Sequence, residues 1–147
     1  MANVDGSRPE FRVGIGYDSH RFGPGDGVLL AGVRIPAAHS LVGHSDADAV
    51  AHAVTDAILG AAALGDIGAL FPDTDAANTN RNSIEMLGIA AERVRDGGWT
   101  VANVDVTVVC EAPNIAQHRD PMRTMLAAAI GVPADAVWVK GKTNERM

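Results

Sequence analysis

Residues Phe11-Arg12-Val13-Gly14-Ile15-Gly16-Tyr17 alternate as a β-strand does, and this run constrains the fold more than any other. Val13, Ile15 and Tyr17 share one face. Gly14 and Gly16 fall on the other, where the missing side chains predict close approach of a second element. The run ends on Asp18-Ser19-His20. A second cluster, His44-Ser45-Asp46-Ala47-Asp48, leads into an alanine-rich segment carrying His52 and Asp56. An extended chain points Asp18 and His20 the same way, and four-residue spacing sets Asp48, His52 and Asp56 along one helix face. Aspartate and neutral imidazole are suitable zinc ligands. One Asp and two His leave one position of a tetrahedron open, the arrangement of a catalytic zinc. The plainer alternative makes His20 a turn residue and His52 a helix surface residue.

The remaining chain supplies elements in the order β-ββ-α-loop-α-β-α-β. Residues 1–10 are polar, broken by Gly6 and Pro9, and read as a flexible leader to a single domain over 11–147. Residues 22–27 form a turn, 28–31 and 33–35 a short strand pair around Gly32, and 36–43 a surface loop. Ser45 or Asp46 is the expected cap of a helix reaching about Ala63, with Val50, Val54, Ile58 and Ala61 as its apolar line. Residues 64–81 lack periodicity and predict either a binding segment or a disordered one. A second helix opens at Asn82 or Ser83, buries Leu87, Ala90, Ala91 and Val94, and stops at Gly97-Gly98. A strand over 101–109, a helix from Asp120 or Pro121 to Ile130, and a strand over 136–140 complete the chain. Strands separated by helices imply a layered arrangement with helices on one face of a sheet. The apolar side of Val104, Val106 and Val108 then predicts an oligomer that covers the free face.

Composition narrows the function. A net charge of -6 and 4% aromatic residues argue against a nucleic-acid surface. The single cysteine, Cys110, rules out an internal disulfide, and no segment reaches transmembrane length. A reducing compartment is the default. Gly14-Ile15-Gly16 lacks the third glycine of a dinucleotide fingerprint, and Gly141-Lys142-Thr143 lacks the upstream Walker glycines. That lysine and hydroxyl fit either a phosphoryl contact or a solvated tail. Glu145 suits magnesium. His44 and Ser45, at a helix start, suit either an anion or, for Ser45, a cap. Asp66 is either a turn carboxylate or an acceptor for ribose hydroxyls. A Ser–His–Asp nucleophile lacks its elbow.

Several motifs together resemble one family. They are residues 12–20, Gly43-His44-Ser45-Asp46-Ala47-Asp48, residues 56–68, Phe71-Pro72-Asp73-Thr74-Asp75, Asn103-Val104-Asp105-Val106-Thr107, Glu111-Ala112-Pro113, and residues 140–145. In this order they are similar to the 2-C-methyl-D-erythritol 2,4-cyclodiphosphate synthases of the non-mevalonate isoprenoid pathway. The resemblance implies an α+β fold: a two-layer α/β sandwich with a mixed four-stranded sheet and helices on one face, assembled as a homotrimer. It implies a lyase that closes 4-diphosphocytidyl-2-C-methyl-D-erythritol 2-phosphate into the cyclic diphosphate and releases CMP.

By position, the resemblance makes Asp18, His20 and His52 the zinc ligands, beside the substrate β-phosphate, and Glu145 the magnesium (or manganese) partner. Asp66, Ile67 and Gly68 would hold the ribose; Phe71, Pro72, Asp73, Thr74 and Asp75 would hold the methylerythritol phosphate. Cys110, Glu111, Ala112, Pro113, Asn114, Ile115 and Ala116 would form the cytosine pocket. His44 and Ser45 would sit on a flap, with His44 and Thr143 stabilising the transition state. Lys142, Thr143, Asn144 and Glu145 would line the diphosphate. Active sites would lie between subunits, with no nucleic-acid or membrane partner, in a bacterial cytoplasm or a plastid-type compartment. Lys142 replaces a small hydroxyl residue of many relatives and adds a cation. The family's continuation, a Gly/Arg/Glu-containing segment and a final apolar stretch, does not follow Glu145. A natural end at Met147 would favour a non-catalytic metal- or isoprenoid-binding trimer. A metallophosphohydrolase, in which water replaces the internal phosphate, is the other alternative.

Overall fold

The computed structural model describes residues 11–147, so the leader expected over 1–10 lies outside the described residues. Four short strands open the fold: β1 (Arg21–Gly23), β2 (Gly27–Leu30), β3 (Val33–Pro36) and β4 (Ser40–Val42). β2 and β3 form the expected antiparallel hairpin. Its turn residues Ala31 and Gly32 have φ of 51° and 73°, positive at both positions as a tight two-residue hairpin requires. β1 pairs antiparallel with β4, where the sequence suggests a turn and a surface loop. Three-residue runs are too short to show a period. Tertiary contacts hold them instead: the Ser40 hydroxyl donates to the Pro24 carbonyl at 2.7 Å, and Phe22 and His39 meet edge to face.

Helix α1 (Ala49–Ala61) buries Val50, Val54 and Ile58 as its apolar line predicts. It starts later than expected. Asp48, not Ser45 or Asp46, is its cap and accepts the Ala51 N–H at 3.0 Å. The same carboxylate, fully buried, accepts the N–H groups of Ala31 at 2.8 Å and Gly32 at 2.6 Å. It thereby ties the hairpin turn to the helix. Burial outweighs these donors and raises the Asp48 pKa above its ordinary value.

The expected loop over 64–81 is ordered by its own caps. Asp66 caps the single-turn helix α2 (Ile67–Leu70) and Asp75 caps a 3-10 turn at Ala76–Asn78. Phe71 is buried beneath the Arg81 guanidinium, 5.1 Å from its ring. Helix α3 (Ser83–Asp96) follows with Asn82 as cap, and α4 (Arg119–Ile130) ends on Gly131 at φ 84°. α4 connects β5 (Val104–Val109) to the parallel strand β6 (Val137–Lys142). The core joins α1, α3 and α4 to the inner faces of β2, β3 and β6.

Two expectations about the sheet are corrected. Among the described residues, pairing gives three two-stranded ladders rather than one four-stranded sheet. Among the described residues, 11–17 pair with no strand and run along α1. A methyl on Gly14 or Gly16 would collide with the α1 backbone at Ala57 or Ala53. The predicted close approach is therefore to a helix. Phe11, Val13, Ile15 and Tyr17 are left at least 79% exposed. Second, Val104, Val106 and Val108 pack half-buried against the core; Asp105, Thr107, Val109 and Trp138 occupy the open face.

Candidate active site

Asp18 and His20 follow directly from the segment pressed against α1, and His52 stands on that helix one residue before Ala53. Asp18 Oδ2 lies 2.9 Å from His20 Nε2 and 3.1 Å from His52 Nδ1. The imidazoles meet edge to face with centroids 5.8 Å apart. Gly43 lets the chain pass the His20 ring, since a methyl there would stand 2.6 Å from Nδ1. His20 Nδ1 lies 3.2 Å from the Val42 carbonyl, which can only accept, so the neutral ring donates there. Its Nε2 is then a bare, buried lone pair with no hydrogen-bond partner among the described residues, despite the nearby carboxylate.

The His20 Nε2 lone pair faces the acceptor-only Asp18 oxygen, on which His52 Nδ1 also converges, and two acceptors without a proton between them repel one another. A cation between them resolves this. The two distances to Asp18 approach the ~3.3 Å edge of a tetrahedron with arms of about 2.0 Å, and all three ligand atoms lie within 4.8 Å of one another. The residues present therefore fit a metal. They are a His/His/Asp cluster suited to binding one; among the described residues Glu145 lies outside that cluster.

Asp18 and His20 also line a cleft of about 410 Å³ with Cys110, Ala112, Pro113 and Asn144. The closing segment lies against this wall: the Cys110 N–H donates to the Lys142 carbonyl at 2.9 Å, and the Arg146 N–H to Glu111 Oε1 at 3.0 Å. Burial, then the charge of Glu111, raises the Cys110 thiol pKa. Asn114 caps a 3-10 turn that buries Ile115 and leaves Ala116 exposed.

The other candidates do not line this cleft. His44 is exposed; Ser45 places its hydroxyl 3.2 Å from His52 Nε2. Asp66 accepts the Ala69 N–H at 2.7 Å, and Ile67 donates its N–H to Asp56 at 2.8 Å. Gly68, Pro72, Asp73, Thr74 and Asp75 are exposed around buried Phe71, as are Lys142, Thr143 and Glu145 at the chain's close. Of the acids beside His52 on the helix face, Asp48 is a cap and Asp56 holds α2, so neither joins the metal cluster.

Sequence reasoning passed over Ser83 and did not place Asp46 beside it. The Ser83 hydroxyl is 2.7 Å from His52 Nε2 and makes a short contact with Asp46 Oδ1. Helix opening already explained a serine at this position, so no local signal singled it out.

The sequence model described as the YgbB family matches residues 11–147. The 2-C-methyl-D-erythritol 2,4-cyclodiphosphate synthase of Gemmatimonas aurantiaca is 58% identical over 134 residues, 91% of this chain and 81% of that protein. The enzyme of the same name from Burkholderia ambifaria is 51% identical over 138 residues, 94% of this chain and 86% of its own. Among solved structures, the bifunctional IspDF of Campylobacter jejuni superposes with a TM-score of 0.89 at 40% identity, over 96% of this chain and 38% of that one. A 2C-methyl-D-erythritol-2,4-cyclodiphosphate synthase in a CDP-bound form gives 0.86 at 36% identity, over 92% of this chain and 91% of its own.

Proposed function

This chain belongs to the YgbB family, and from that membership we infer an enzyme, a lyase of non-mevalonate isoprenoid biosynthesis. It cyclises 4-diphosphocytidyl-2-C-methyl-D-erythritol 2-phosphate to 2-C-methyl-D-erythritol 2,4-cyclodiphosphate and releases CMP. The observation that carries this reading is the convergence of Asp18, His20 and His52, two of which line the cleft with Cys110, Ala112 and Pro113.

In the reaction the 2-phosphate attacks the β-phosphorus of the same molecule, and the bond to the CMP oxygen breaks. No protein nucleophile is needed. The difficulties are anion approaching anion, and charge gathering on the leaving CMP. Asp18, His20 and His52 would hold zinc and Glu145 magnesium or manganese; when bound, these metals withdraw charge from the phosphoryl oxygens. The chain's own task is orientation, which dominates a tethered reaction.

Residues 110–116 would enclose the cytosine, Asp66 to Gly68 the ribose, and Phe71 to Asp75 the methylerythritol phosphate. Lys142, Thr143 and Asn144 would meet the diphosphate, and His44 and Ser45 would close over the substrate. His44 and Thr143 would stabilise the transition state. Residues 11–147 act as one domain of a homotrimer in this reading. The exposed Phe11, Val13, Ile15 and Tyr17, together with the exposed Val109 and Trp138, support burial by neighbouring subunits, which would share each site. No helix among the described residues is long and apolar enough to cross a membrane. A bacterial cytoplasm suits the relatives' sources.

Phosphorus NMR of the protein with this substrate, zinc and magnesium tests the proposal. The expected products are CMP and the cyclic diphosphate, abolished in His52→Ala. A linear phosphate product, or full activity in the variant, would overturn it.

A further inference from the structure

His52 presents two ring nitrogens to two different environments. Nδ1 faces Asp18 Oδ2 at 3.1 Å, and Nε2 faces the Ser83 hydroxyl at 2.7 Å. Which nitrogen carries the proton decides whether the ring can offer Nδ1 to a metal, and the answer is written 31 residues away.

Asp46 is surrounded by donors. Its Oδ2 accepts the Ser83 N–H at 2.8 Å, and its Oδ1 accepts the Asp48 N–H at 3.2 Å beside the short contact from the Ser83 hydroxyl. The two backbone N–H groups cannot accept, so the carboxylate form satisfies the site. The Ser83 hydroxyl has one proton, and the carboxylate takes it. The Ser83 oxygen therefore meets His52 as an acceptor, which draws the imidazole proton to Nε2 against the competing acceptor Asp18 Oδ2 and frees Nδ1 for a cation. Ser83 is fully buried, so water does not compete for this arrangement.

We propose that Ser83 and Asp46 are positioning residues, a relay that locks His52 in the tautomer whose Nδ1 faces the metal position. This rests on the metal-site reading above. Outer partners of ligating histidines act in this way, fixing tautomer and ring orientation. Neither residue touches the metal position: each acts through His52. Asp46 also holds the first turn of α3 through the Ser83 N–H, so one carboxylate sets both the helix and the ring.

The test begins on metal-free protein, with nitrogen-15 shifts of the His52 ring measured well above the ordinary histidine pKa. The wild type is expected to show the Nε2–H tautomer. Ser83→Ala should give a mixture, since Ser45, at 3.2 Å, is the remaining hydroxyl near Nε2. Asp46→Ala frees the Ser83 proton to donate to His52 and should shift the ring toward Nδ1–H. Zinc affinity, measured against a competing chelator, should fall roughly 10- to 100-fold in Ser83→Ala. Ser83→Thr, which keeps the hydroxyl, should restore the tautomer and most of the affinity. A wild type already in the Nδ1–H form, or a Ser83→Ala protein with unchanged tautomer and zinc affinity, would overturn the relay. If the wild type fails to bind zinc, the metal reading fails, and the tautomer measurements still decide the relay.

Discussion

Gly16→Ala should damage the metal site without altering any ligand. A methyl at this position would stand 2.7 Å from the Ala53 carbonyl carbon and 3.0 Å from the Ala57 nitrogen, and nearer still to the Ala53 oxygen. Those atoms belong to the backbone of α1, which cannot rotate aside as a side chain can. Restoring an ordinary separation of about 3.5 Å from the Ala53 oxygen moves residues 14–18 away from the helix by roughly 2 Å. Asp18 and His20 travel with that segment, while His52 stays on the helix. Metal–ligand distances tolerate only about 0.2 Å, so the three ligands no longer close on one ion. Zinc affinity should fall at least tenfold, about 1.4 kcal/mol, and overpacking should cost a further ~1–3 kcal/mol of stability. Chelator competition and urea unfolding read the two effects separately. An unchanged zinc affinity in a folded variant would refute the argument that this glycine contact sets the site.

Gly60→Ala is the matched control on the same helix. Among the described residues nothing lies within 4 Å of the added methyl, so urea unfolding should show a gain of about 0.5–1 kcal/mol from helix propensity alone, with zinc binding unchanged. Asp48 gives a prediction in pH. Its raised pKa means the folded state holds a proton more tightly than the unfolded chain, so its contribution to stability falls as pH rises from the ordinary carboxyl value through the folded pKa. Urea midpoints of wild type and Asp48→Asn should diverge in favour of the wild type as pH is lowered through that window. A constant difference would show that burial does not govern this carboxyl.

Helices α3 and α4 were legible because their signals are local. Asn82 accepts the N–H groups of Ile84 and Glu85, and Gly131 takes the left-handed conformation that ends α4. The start of α1 was not. Ser45, Asp46 and Asp48 are all good caps, and the choice among them is made by the hairpin turn, whose N–H groups at Ala31 and Gly32 claim Asp48. The alternation of β5 revealed two faces but not which one meets the core, because valine occurs on both, at Val108 and at Val109. In the site, Asp18 and His20 could be paired by adjacency, with His52 as a third ligand from the following helix, whereas its four-residue neighbours Asp48 and Asp56 serve the fold instead. Ser83 had a sufficient local explanation and so drew no attention.

The segment from Gly43 to Asp48 shows why the rest of the site lies beyond any one window of sequence. Gly43 clears space for the His20 ring, which hydrogen-bonds the Val42 carbonyl just before it. Ser45 and Asp46 reach His52, the latter through Ser83, and Asp48 starts the helix on which His52 stands. Ser45 and Ala47 adopt positive φ, 54° and 58°, which a non-glycine residue takes only when its surroundings compel it. The surroundings here are three separate anchors: the β2–β3 turn on Asp48, the start of α3 on Asp46, and the β1–β4 ladder at Val42. Each anchor also fixes a histidine, so the strain in this short loop and the alignment of His20 with His52 have the same cause.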